Sequence, residues 1–267
     1  MTADFIVTTT RKPDAASEIF AGKLAAELGG KFVVREDFSF DALKKIHGAE
    51  NILLVKKNSV SVVTSEGEFI FHPNTAHLRI KNLRGGDGDR LIDALKISDG
   101  STVLDCTLGL GSDALVASFV VGARGKVVAL EVNPLIAAVV RHGMKNFSDD
   151  TPQILQAMRR VEVVTADCRD YLSTCADNSF DAVYFDPMFR RPVKSSSGLN
   201  PIRPLADSRP LTAEIIREAC RVARRRVVMK EHSGSAEFAR LGFTLTDGGR
   251  YSNVSFGVIE KSTVANR

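Results

Sequence analysis

The sequence predicts an α/β fold in which a mostly parallel seven-stranded sheet ends in an antiparallel hairpin and is preceded by a small N-terminal α/β domain. Three observations predict it. From residue 102 onward, short β-branched runs alternate with helix-length stretches, the pattern of parallel strands covered by helices on both faces. The last two strand-like runs, 243–246 and 253–260, flank Asp247-Gly248-Gly249-Arg250, which is hairpin chemistry. The chain of 267 residues is long enough for one large domain or two unequal ones, since a domain typically takes about 150 residues.

In order along the chain, 5–9 reads as a strand, and 13–28 as a helix with proline early and Gly29-Gly30 as its stop. A strand at 32–35 and a short helix at 39–47 follow. Strands at 51–56, 59–64 and 68–71 are then separated by Lys57-Asn58 and Glu66-Gly67, both suited to turns. His72, Pro73, Asn74, His77 and Arg79 form a polar stretch that reads equally as a substrate-facing loop or a linker. The glycine-rich break at Gly85-Gly86-Asp87-Gly88 divides the chain into a domain at 1–84 and a larger one at 85–267. The larger domain opens with a helix at 89–95. Its strands lie at 102–106, 126–131, 161–166, 180–185 and 226–230, with helices at 113–121, 135–145 and 212–224 among the connections.

Composition excludes several classes. An apolar share of 44% with 25% charged residues is that of an ordinary globular chain. The four cysteines, Cys106, Cys168, Cys175 and Cys220, show neither disulfide-framework nor zinc spacing, so no metal is expected and a reducing cytoplasm fits. The opening residues lack the charged start and apolar stretch of an export signal, and no run of about 18 apolar residues marks a membrane span. The net charge of +4 is too small to indicate nucleic-acid binding by itself.

The turn after the strand at 102–106 reads Asp105-Cys106-Thr107-Leu108-Gly109-Leu110-Gly111-Ser112-Asp113-Ala114. Small residues beyond the carboxyl end of a parallel strand let a ligand approach the backbone. Taken alone, Gly109 and Gly111 with Ala114 also satisfy a dinucleotide fingerprint, and Glu131 ends the next strand where a carboxylate can accept both hydrogen bonds of a ribose diol. Asp105 separates the two readings. A carboxylate there suits a cationic ligand better than a pyrophosphate, which favours S-adenosylmethionine (SAM), with its ammonium and sulfonium, over a nicotinamide dinucleotide. Asp113 is either a first-turn helix acid or a further cofactor contact. Asp167, before Cys168 at the end of the third strand, either accepts from the adenine amine or caps a helix.

The run 180–185 is a buried-strand pattern that ends in Asp186-Pro187-Met188-Phe189. An exocyclic base amine is a poor nucleophile and must be held in line with the methyl group. The Asp186 carboxylate and Pro187 carbonyl can accept its hydrogen bonds, and Phe189 can stack on the base. A plain strand exit is the alternative. Downstream, residues 190–230 hold eleven basic and three acidic residues, about +8, beside this loop. Arg190, Arg191 and Lys194 suit contact with RNA phosphates, whereas the arginines at 217–226 read as a solvated helix face.

These runs, together with Leu130-Glu131-Val132-Asn133-Pro134, resemble class I SAM-dependent methyltransferases, and more narrowly the ribosomal small subunit methyltransferase J family, whose members methylate guanine N2 in ribosomal RNA. The resemblance implies a Rossmann-like fold and SAM as cofactor. It puts Ser112 and Asp113 on cofactor contacts, Glu131 and Val132 on the ribose side, Asp167 and Cys168 on the adenine side, and Asp186 at the site acid. Three positions depart from the family pattern: Ser112 replaces an arginine, Asp167-Cys168 a pair of small hydroxyl residues, and Arg190-Arg191 a proline. The expectation is an RNA methyltransferase acting on an exocyclic base amine, guanine N2 in ribosomal RNA first. The alternatives are a small-molecule or protein methyltransferase, or a non-catalytic RNA-binding module.

Overall fold

The computed structural model describes residues 4–187, 197–245 and 253–261. The chain opens with β1 (Phe5–Thr9), α1 (Ala15–Leu28), β2 (Lys31–Phe32), α2 (Phe40–His47), β3 (Asn51–Val55), β4 (Val60–Thr64) and β5 (Gly67–Ile70). Asp14 caps α1 by accepting from the Ser17 amide at 2.8 Å, and Gly29 ends it at a φ of 68°, a left-handed conformation that costs glycine least. Ser39 caps α2 in the same way through the Ala42 amide. β1 runs parallel to β2 and β3, and β3, β4 and β5 form an antiparallel meander, giving the order β2-β1-β3-β4-β5. The strand expected at 32–35 shortens to two residues, and Glu36 turns the chain with a φ of 47°.

The rest of the chain supplies α3 (Asn74–Arg84), α4 (Arg90–Leu95), β6 (Thr102–Asp105), α5 (Ser112–Val121), β7 (Lys126–Glu131), α6 (Pro134–Asn146), α7 (Pro152–Arg160), β8 (Val161–Thr165), α8 (Cys168–Thr174) and β9 (Phe180–Phe185). A 3-10 segment (Ser197–Leu205), α9 (Ala213–Val222), β10 (Ala223–His232), α10 (Glu237–Leu241), β11 (Thr244–Leu245) and β12 (Val254–Glu260) complete it. Two compact units result, and their division is not the sequence break at 84. The first holds β1–β5, α1 and α2, and it recruits α6 and the 3-10 segment, with α6 packed on β4. The second holds everything else and begins at Pro73. Of the polar stretch that reads as a substrate-facing loop or a linker, Asn74, His77 and Arg79 lie in the helix α3, whose Ala76 and Ile80, one turn apart, are fully buried. Its start has no side-chain cap, which removes the usual sequence signal.

The second unit is built on a seven-stranded sheet in the order β11-β12-β10-β9-β6-β7-β8. β8, β7, β6, β9 and β10 are mutually parallel, and β12 is antiparallel to both β10 and β11. Alternation along the strands divides the side chains between two faces. Leu104, Val128, Leu130, Val183, Phe185, Val227 and Met229 join residues of α9 and α10 in one core. The opposite face carries Val103, Asp105, Ala129, Glu131, Tyr184, Val228 and Lys230, and α5 packs there on β6 and β7. From β6 the chain steps outward to β7 and β8 and then returns to place β9 on the other side of β6. The strand order reverses between β6 and β9, and in sheets of this kind the ligand crevice lies at the carboxyl ends of the strands there.

Candidate active site

Both loops singled out in the sequence leave the sheet at that crevice. Asp105 is the last residue of β6 and is paired in register with Tyr184 of β9. Its buried carboxylate accepts from the Thr107 amide at 2.9 Å, which folds the chain into the glycine turn. Gly109 and Gly111 have φ values of 50° and 79°, and Gly111 delivers the chain into α5. From the neighbouring strand Glu131 accepts the Gly109 amide at 3.1 Å, so the acid at the end of β7 and the glycine turn face one another. Ser112 and Asp113 start α5, and Val132 follows β7 as an exposed residue.

Thr107, which sequence reasoning did not single out, fastens the two loops together. Its hydroxyl accepts the Asp186 amide at 2.6 Å and lies 3.4 Å from the Asp105 carboxylate. The Asp186 carboxylate takes the Lys230 ammonium at 2.7 Å, and the same ammonium reaches Asp113 at 3.1 Å. Asp113 also accepts from the Tyr184 hydroxyl at 2.8 Å and from Arg79, whose guanidinium is paired in turn with both oxygens of Asp89. Asp113 stands in the first turn of α5, and internal partners engage both of its oxygens. Lys230 and Arg79 were also missed. A lysine directly after the apolar run Val227-Val228-Met229 was the available signal for the first; Arg79 stood in the stretch that reads equally as a substrate-facing loop or a linker.

Asp167 caps α8 through the Arg169 amide at 2.9 Å and pairs with Arg209 at 2.7 Å. Cys168 begins that helix, and burial, with Asp167 beside it, pushes its thiol up to about 11. Asp186 and Pro187 lie at the crevice. Met188, Phe189, Arg190, Arg191 and Lys194 lie outside the described residues. The basic residues farther along are committed internally. Arg217 pairs with Glu214, Arg221 with Glu218 and Asp177, Arg224 with Asp181, and Arg226 with Glu260. Charge counted along the sequence therefore overstates what this segment offers to a polyanion.

The electrostatics match a cationic ligand. Burial pushes the Asp105 carboxyl up to about 8, helped by the nearby Asp113 and Asp186 carboxylates and opposed by hydrogen bonds from Thr107. Burial likewise raises Asp186, which Lys230 restrains to about 6. Burial alone would raise Asp113, but Lys230 and Arg79 overcome it and hold that carboxyl well below the usual range. Carboxylates that resist ionising together favour a positive charge among them and disfavour a pyrophosphate. Glu131, beside the glycine turn, is a carboxylate of the kind a ribose diol requires. The residues present thus fit SAM. Among the described residues there is no cluster of His, Cys, Asp and Glu suited to a metal, and no helix long and apolar enough to cross a membrane.

Residues 42–241 match the family described as "Putative SAM-dependent methyltransferase". The protein YpiP of Bacillus subtilis, described as uncharacterized, is 38% identical over 258 residues, covering 96% of this chain and 100% of that one. Ribosomal RNA small subunit methyltransferase J of Dechloromonas aromatica is 31% identical over 161 residues, 58% of this chain and 63% of the relative's length. A SAM-dependent methyltransferase from Neisseria gonorrhoeae shares the fold, with a TM-score of 0.61 at 18% identity over 96% of each chain. The doubly wound sheet, the glycine turn facing Glu131 and the matched span together make this chain a member of the SAM-dependent methyltransferase family.

Proposed function

We propose that the enzyme methylates an exocyclic amine of an RNA base, guanine N2 in ribosomal RNA first. The observation that carries this reading is the Asp186 carboxylate, half-buried at the end of β9 and held by Lys230 beside the cofactor crevice. In its charged form it only accepts hydrogen bonds, so it suits an N–H donor. The cofactor supplies the methyl carbon and, as sulfonium, its own leaving group. Asp186 and the Pro187 carbonyl accept hydrogen bonds from the amine's two N–H groups and aim its lone pair. Asp186 takes the proton that must leave once nitrogen is bonded to carbon.

Proline at 187 fixes the backbone there and adds no donor that would compete with the amine. Asp105, Gly109, Gly111, Ser112 and Glu131 hold the cofactor, with Asp167 and Cys168 on its adenine side. The relative that is named for methylating small-subunit ribosomal RNA supports RNA as the substrate class. Arg190, Arg191 and Lys194 grip the phosphates, and the first unit helps to position the RNA. A cytoplasmic setting goes with this reading. The test is mass-spectrometric comparison of nucleosides in total RNA from cells with and without the gene. Loss of N2-methylguanosine is expected; an unchanged nucleoside profile contradicts the reading. A small-molecule or protein methyltransferase would instead work without RNA and with little dependence on salt.

A further inference from the structure

We propose that Lys230 is the positioning residue of this site: its ammonium holds the Asp186 carboxylate as an anion and aims it, and its second ion pair anchors that arrangement to Asp113. The inference rests on the methyl-transfer reading of Asp186. Strand register explains the placement. Val228 of β10 is paired with Tyr184 of β9, which is paired with Asp105 of β6, so these residues and Lys230 share the face covered by α5. Lys230 lies one pleat nearer the carboxyl end than Val228, level with the exit of β9.

Its length matters as well. The ammonium reaches Asp186 at 2.7 Å and Asp113 at 3.1 Å, so one side chain bridges a loop and a helix. Asp113 cannot swing away, because Tyr184 and Arg79 engage it too, and Arg79 is itself paired to Asp89. Lys230 bonds Oδ2 of Asp186, and no described residue occupies Oδ1, which leaves an oxygen for the amine. A lysine bonded only for stability would not need to meet the strand-end acid.

Among the described residues, the groups around Asp186 are Lys230 and Glu231 from β10, Asp113 from α5, Asp105 from β6 and Tyr184 from β9, with Arg79 from α3 behind Asp113. Four of these are carboxylic acids or a phenol, which do not favour a charged Asp186. Among the described residues, Lys230 is the cation in direct contact with it. Burial disfavours the charged ammonium, but Asp113 and Asp186 outweigh that and raise its pKa, so it stays charged through the working range.

The experiment follows the Asp186 carboxyl by NMR in protein labelled with [13C]aspartate, its signal assigned by its loss in Asp186→Asn. Wild type should titrate near the expected value of about 6. In Lys230→Met the midpoint should rise by about one to three pH units, and in Lys230→Arg it should stay close to wild type. The acid limb of methyl transfer from tritiated SAM to 16S ribosomal RNA from gene-deleted cells should move with it. S-adenosylhomocysteine affinity should change less than threefold, which a collapsed site would not allow. An unmoved Asp186 midpoint in folded Lys230→Met overturns the proposal. If Lys230→Met does not fold, the wild-type Lys230 ammonium resonance decides. It should shift as Asp186 titrates, and an unresponsive resonance overturns the proposal. Failure of wild type to methylate that RNA would sink the RNA reading while leaving the carboxyl titration to judge Lys230.

Discussion

Asp181 and Asp186 stand at opposite ends of β9 and have opposite fates. Asp181, at the amino end, accepts from the Thr102 amide at 2.8 Å and hydroxyl at 3.1 Å, and from Arg224 at 2.8 Å. Burial would raise its pKa, but the Thr102 and Arg224 bonds outweigh it and bring it down. Asp186, at the carboxyl end, is raised to about 6 by burial among like charges, with Lys230 in opposition. One strand thus has a satisfied end and an end with a surplus of acid. Structure is fixed where a carboxylate is fully matched, and chemistry becomes available where it is not.

The largest expected effect is on the second end. Asp186→Ala should cut kcat by about 10²–10⁴-fold while S-adenosylhomocysteine affinity, read by calorimetry, stays near wild type; full activity would remove Asp186 from the mechanism. Activity of the wild type should also fall as pH drops through about 6, because protonation removes the acceptor anion. A rate flat down to pH 5 would contradict that role.

Next comes Glu131→Ala, expected to weaken cofactor binding by roughly 10- to 100-fold through two lost hydrogen bonds to a charged acceptor; unaltered affinity would put the ribose elsewhere. Cofactor binding should release about one proton at pH 7, since Asp105 sits near 8 when free and a cation beside it favours ionisation. Titrations in phosphate and Tris should therefore give different enthalpies. Equal enthalpies would mean that Asp105 is already ionised.

Stability separates the two ends as well. A carboxyl raised in the folded state, as Asp105 is, keeps a proton that the unfolded chain gives up above about 4. It therefore costs stability as pH rises from there through about 8. Asp181 has the reverse sign: its contribution is present above the ordinary carboxylate value and is lost as pH falls through its lowered one. Asp181→Asn should cost about 1–3 kcal/mol at neutral pH, seen in urea melts, with cofactor affinity unmoved. A loss of affinity there would show that the two ends are coupled.

How much of this was legible in the sequence follows from the range of the interactions. The glycine turn, Glu131 and Asp186-Pro187 were visible because each is a short run with its own turn or strand-end chemistry. The parallel strands were visible through their β-branched runs. Lys230, Arg79 and Thr107 were not, since each acts on a partner brought close only by folding. Lys230 and Asp186 are 44 positions apart, and Arg79 and Asp113 are 34 apart. Recruitment of α6 into the first unit was hidden for the same reason: its apolar pattern shows that one face is buried but not against which sheet. Summing charge over 190–230 failed because the matching acids, Asp167, Asp177, Asp181 and Glu260 among them, lie elsewhere in the sequence.

The most direct test of the central claim is methylation of RNA from gene-deleted cells by purified enzyme and labelled SAM, followed by digestion and identification of the labelled nucleoside. The account predicts label in N2-methylguanosine with wild type and none with Asp186→Ala. Label in a ring-carbon or ribose-methylated nucleoside, or equal labelling by Asp186→Ala, would contradict it.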